Sequence, residues 1–121
     1  MSHILITDDN SAYRTSIIDV LELEHYTLTE AENGEQALAQ ISANPPDLIL
    51  CDIDMPIIDG LEVLRRVKAN PKTSHIPFIM ITGRKDKATM TTAIELGAND
   101  YIQKPMEIAV LLEKIKQVLG T

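Results

Sequence analysis

The chain has no tryptophan, one phenylalanine and three tyrosines among its 121 residues. Proteins that hold single-stranded nucleic acid stack bases on aromatic rings along a basic groove, and both parts of that apparatus are missing. Lysine and arginine number 11 against 18 aspartates and glutamates, a formal charge of −7. Such a surface gains nothing from phosphate backbones or anionic lipid, so no direct binding to nucleic acid or membrane is expected. Cysteine occurs once, at Cys51, which rules out an internal disulfide and fits a reducing cytoplasm. No basic amino-terminal segment leads into a long apolar stretch, and no apolar run approaches membrane-spanning length. A soluble, cytoplasmic protein is the expectation. Repeats, low-complexity segments and linkers are also missing. With 45% hydrophobic and 24% charged residues the composition is that of a globular protein, and the length predicts one domain over residues 1–121.

What is present is an alternation of short β-branched runs and longer amphipathic stretches, the pattern of βαβ units on a parallel sheet. Strands are predicted at His3–Thr7, Tyr26–Ala31, Asp47–Cys51, Phe78–Thr82 and Asp100–Gln103. The first helix follows Asn10 or Ser11, both good N-caps, with Ile17, Ile18, Leu21 and Ala12 on its inner face. The second runs from about Gly34 to Ala43, where Asn44-Pro45-Pro46 stops it. The third runs from about Leu61 to Ala69 with Leu61, Leu64 and Val67 inward, and the fourth from about Lys85 to Leu96 with Gly97 as its left-handed cap. The fifth carries Ile108, Leu111, Leu112, Ile115, Val118 and Leu119 at helical spacing. Met90 and Met106 are expected near the surface, the three histidines as structural or surface groups, and Cys51 as an inert buried thiol.

In open parallel sheets, ligands bind beyond the carboxyl ends of the strands. Those ends carry Asp8 and Asp9, Asp52, Thr82 and Lys104. Three carboxylates in one crevice repel one another unless a positive charge joins them. A hard, oxygen-ligated cation such as Mg²⁺ is the simplest one, with Mn²⁺ or Ca²⁺ as substitutes. Taken singly, each residue has an ordinary reading: Asp8 and Asp9 as helix caps, Asp52 as a turn residue before Met55-Pro56, Lys104 as a solvated lysine and Thr82 as a strand-end threonine.

Together, "ILITDD", "DLILCDIDMPIIDG", "PFIMITGR" and "GANDYIQKP" resemble, in order and spacing, the motifs of two-component response-regulator receiver domains, over essentially the whole chain. The resemblance implies an α/β, flavodoxin-like three-layer sandwich with a five-stranded parallel sheet in order 2-1-3-4-5 and five helices. It matches Asp52 to the phospho-acceptor, Asp8 and Asp9 to the metal-holding acids, and the backbone carbonyl of Asp54 to a further metal ligand. It also matches Thr82 and Lys104 to the groups that engage the phosphoryl oxygens, Tyr101 to an aromatic switch, and Lys104–Pro105 to a bond often cis in this family. The resemblance also places Asp54 and Arg84 at the rim; their charges suggest either a pair that would slow loss of the phosphoryl group or two independent surface charges. The implied partner is a histidine kinase or histidine phosphotransfer protein, with an output domain or protein on the surface of helix four, strand five and helix five. The implied protein assists its own phosphorylation and is not a turnover enzyme. "CDIDMP" is also similar to the nucleophile motif of haloacid-dehalogenase-type phosphatases, with Asp52 as nucleophile and Asp54 as acid/base, although Pro56 and the early Asp8-Asp9 pair depart from that family. A third reading is a phosphorylation-independent pseudo-receiver, whose mark would be a lost acceptor, metal or lysine position.

Overall fold

Apolar runs on the central strands and half-polar ones at the edge determine where each strand sits. The computed structural model describes residues 2–120. The elements in chain order are β1 (His3–Thr7), α1 (Ser11–Leu23), β2 (Thr27–Ala31), α2 (Gly34–Ala43), β3 (Leu48–Cys51), α3 (Gly60–Ala69), β4 (Phe78–Thr82), α4 (Lys87–Glu95), β5 (Asp100–Gln103) and α5 (Ile108–Leu119). Every strand pair is parallel and the order is β2-β1-β3-β4-β5. β3 and β4 are buried at every position, as strands covered on both faces must be, whereas Thr27 and Glu30 of edge strand β2 are exposed.

The period-two alternation of side chains divides the core in two. Leu5, Ile49, Cys51, Phe78 and Met80 face one way and pack with Ala37, Ile41, Val63, Leu64 and Val67 of α2 and α3, and with Ala93 of α4. Ile4, Ile6, Leu48, Leu50, Ile79 and Ile81 face the other way, against Ile17 and Leu21 of α1 and Leu111 and Ile115 of α5. The result is the three-layer sandwich expected from the sequence.

Four helices start on a side-chain cap. Asn10, Asn33, Asp59 and Asp86 accept hydrogen bonds from the backbone N–H groups of Tyr13, Gln36, Glu62 and Thr89, satisfying donors that the helix itself leaves free. Two of these caps explain departures from the sequence reading. Asp59 moves the start of α3 to Gly60, and Asp86 shortens α4 to begin at Lys87. In α1, Tyr13 lies one turn before Ile17 and shares its inner face, whereas Ala12 is exposed. Tyr26 and Asp47 lie just before their strands. Met90 and Met106 are half-buried, and Met106 packs against the core cluster that α1 and α5 cover. Gly97, just past α4, takes φ 109°, a conformation that a side chain would oppose. Among the described residues no helix is long and apolar enough to cross a membrane.

Candidate functional site

The site is assembled by the last rungs of the sheet ladder. Beyond the strand ends, the N–H of Asp8 donates to the Ala31 carbonyl at 3.1 Å, that of Asp52 to Thr7 at 3.0 Å and that of Lys104 to Thr82 at 2.8 Å. These bonds hold three charged residues, far apart in sequence, at one edge. Asp8, Asp9 and Asp52 each offer a carboxylate oxygen, and the three oxygens lie within 4.8 Å of one another. Asp8 and Asp52 are buried, Asp9 exposed. The Lys104 ammonium bridges the buried pair, 2.8 Å from Asp8 Oδ2 and 3.2 Å from Asp52 Oδ2. Burial opposes the lysine charge, but hydrogen bonds and attraction from Asp8 and Asp52 outweigh it and hold its pKa above the ordinary value. The second oxygen of Asp52 accepts the Ile53 N–H at 2.7 Å, and that of Asp8 accepts the Asn10 N–H at 2.9 Å. Thus Asn10, not either aspartate side chain, caps α1. Three carboxylates converging with one outer position open to solvent form an all-oxygen donor set that suits a hard divalent cation.

A second group of residues adjoins the three acids. Thr82 is fully buried, and its hydroxyl accepts the Arg84 N–H at 3.3 Å. The Arg84 guanidinium grips the Asp54 carboxylate, Nη2 at 2.7 Å and Nε at 3.0 Å from Oδ1, in a solvent-exposed pair. The Tyr101 hydroxyl donates to the Arg84 carbonyl at 3.0 Å, while its ring packs against the core. The Lys104–Pro105 peptide bond is cis. Cys51, wholly buried, has its thiol pKa pushed well up by burial, with the Asp52 charge adding to the effect, so it stays protonated and unreactive.

Two residues matter here to which the sequence patterns gave no role, although Gly60 closes the run DLILCDIDMPIIDG. Gly60, the first residue of α3, sits against the carboxyl end of β3: its N–H donates to the Ile53 carbonyl at 2.9 Å, and a Cβ there would lie 2.0 Å from the Asp52 carbonyl oxygen. Tyr13 places its ring under the Lys104 ammonium, 4.1 Å from nitrogen to centroid. Its only trace in the sequence is an aromatic side chain one turn into the helix that follows the acidic pair.

The sequence matches the response regulator receiver domain family over residues 4–116. It is 41% identical over 116 residues to the phosphate regulon transcriptional regulatory protein PhoB of Pseudomonas aeruginosa, covering 96% of this chain and 51% of that protein, so the chain spans about half of that relative's length. It is 39% identical over 120 residues to the chemotaxis protein CheY1 of Helicobacter pylori, covering 98% of this chain and 97% of that one. Among solved structures, a CheY-like response regulator receiver domain protein from Methanospirillum hungatei superposes with a TM-score of 0.94 at 33% identity, over 99% of this chain and 94% of that one. The signal receiver domain of a signal transduction histidine kinase from Syntrophus aciditrophicus gives 0.93 at 32% identity, over 99% and 91%.

Proposed function

The chain belongs to the response-regulator receiver domain family of two-component signalling, and on that premise we propose that Asp52 is its phospho-acceptor. The observation that carries this reading is the bridge from Lys104 to Asp8 and Asp52, with Asp9 beside it, at the carboxyl edge of the sheet. In the proposed reaction an Asp52 oxygen attacks the phosphorus of a phosphohistidine on a histidine kinase or phosphotransfer protein. The P–O bond forms, the P–N bond breaks, and the departing imidazole takes up a proton. Lys104 meets the negative charge gathering on the phosphoryl oxygens. Asp8, Asp9, Asp52 and the backbone carbonyl of Asp54 would hold Mg²⁺, which supplies further positive charge to the same oxygens. The protein assists this transfer and its reversal on itself and does not turn over.

After transfer, the Thr82 hydroxyl exchanges the Arg84 N–H for a phosphoryl oxygen, and Tyr101 leaves the Arg84 carbonyl for the space vacated. The surface that responds is α4, β5 and α5, where Ile94, Ile108 and Val110 are exposed apolar groups suited to an output partner. The Arg84–Asp54 pair narrows the approach of water to the acyl phosphate and prolongs its life. Nothing favours the phosphatase reading, since the Asp54 carboxylate that would act as its acid/base is engaged by Arg84.

Incubation with acetyl phosphate and Mg²⁺, followed by intact mass, tests the proposal. One added phosphoryl group, absent from Asp52→Ala, is expected; no addition to the wild type would reduce the chain to a pseudo-receiver. Arg84→Ala is expected to shorten the acyl-phosphate lifetime, and an unchanged decay rate would remove the screening role.

A further inference from the structure

We propose that Tyr13 is a positioning residue for Lys104: its ring face holds the ammonium in place before and after Asp52 is phosphorylated. The inference rests on the phospho-acceptor reading of Asp52 and goes beyond it, because it assigns a role to a side chain outside the acidic cage and the rim. Lys104 has three holds, two carboxylates and one ring face at 4.1 Å. When the Asp52 oxygen becomes part of an acyl phosphate, the hold from that carboxylate weakens. Asp8 and the ring keep the ammonium within reach of the new oxygens. The ring is fixed for this purpose, since it lies on the inner face of α1 and packs against Ile17 and its neighbours. Attraction between an ammonium and an aromatic face grows as water is excluded, and the Lys104 side chain is only 20% exposed.

The hydroxyl is not what employs this tyrosine. It is buried and has no hydrogen-bond partner among the described residues, so a ring without it should do as well. That makes phenylalanine a rescue variant and leucine, which fills much of the same space without a ring, the disabling one. Burial raises the Tyr13 pKa despite the lowering effect of Lys104, so the ring remains neutral beside its cation.

The test compares wild type, Tyr13→Phe and Tyr13→Leu. Two measurements are made, the rate of acetyl-phosphate labelling of Asp52 and the NMR shifts of the Lys104 side-chain methylenes, which an aromatic face moves upfield. Tyr13→Phe should label at the wild-type rate and keep the upfield shift. Tyr13→Leu should label about 5-fold more slowly and lose the shift. Equal labelling by Tyr13→Leu and wild type overturns the proposal, as does a Tyr13→Phe as slow as Tyr13→Leu. If the wild type itself takes no label, the phospho-acceptor reading fails. The methylene shifts still decide whether the ring holds Lys104, and their absence in the wild type overturns the inference.

Discussion

The closest backbone approach to any glycine among the described residues predicts that Gly60→Ala damages both stability and chemistry. A Cβ at this position would stand 2.0 Å from the Asp52 carbonyl oxygen and 2.8 Å from both the Asp52 carbonyl carbon and the Ile53 Cα. Ordinary contact begins near 3.4 Å, so the worst pair falls short by about 1.4 Å, far up the repulsive wall. All three obstacles are backbone, and none can turn away as a side chain does. Either α3 lifts off the sheet, losing the Gly60 to Ile53 hydrogen bond, or the segment carrying Asp52 moves. Overpacking of this kind costs about 3 kcal/mol, and in a domain of this size that lowers the melting temperature by about 12 °C. Displacing a reacting group by about 1 Å slows chemistry by about 10²-fold. Thermal unfolding and acetyl-phosphate labelling read the two effects. Gly83→Ala is the control, because a Cβ there meets nothing within 4 Å; it should be neutral or stabilising by up to about 1 kcal/mol. A Gly60→Ala protein that melts and labels like the wild type would refute the steric argument.

Two further expectations come from charge. Mg²⁺ binding to the folded acidic cage should raise the melting temperature, by about 2.7 kcal/mol of stability at a hundredfold excess over its dissociation constant. Asp9→Asn should remove most of that rise while leaving the magnesium-free melting point nearly unchanged, since Asp9 is exposed and outside the Lys104 bridge. On α3, hydrogen bonds from Arg65 and then Arg66 hold the Glu62 carboxyl down to about 2. This folded value lies below the ordinary 4.5, so the contribution is complete above pH 4.5 and is lost as the pH falls through about 2. The group is solvent-exposed, so molar salt should move an NMR titration midpoint back toward 4.5, and a midpoint already near 4.5 at low salt would contradict the pairing.

Much of this protein was legible in local patterns. Runs such as Leu48–Cys51 and Phe78–Thr82 can satisfy their backbones and bury both faces only inside a sheet, and the intervening helical periods require crossovers. Parallel connection then puts every strand's carboxyl end on one side, which is why Asp8, Asp9, Asp52, Thr82 and Lys104 could be grouped from order alone. Boundaries shifted by a residue or two where a cap such as Asp59 or Asp86 outcompeted the apolar pattern.

What remained for the tertiary structure was distance between elements. A helix's period places Tyr13 on the stripe of Ile17 and Leu21, but only packing decides which side chain of another element meets it there. The meeting of Tyr13 with Lys104, the pairing of Arg84 and Asp54, and the contact of Gly60 with the Asp52 backbone each join different elements. Local sequence patterns constrain elements one at a time. Contacts of a few ångströms between elements depend on how whole layers settle against one another, and only the packed molecule decides them.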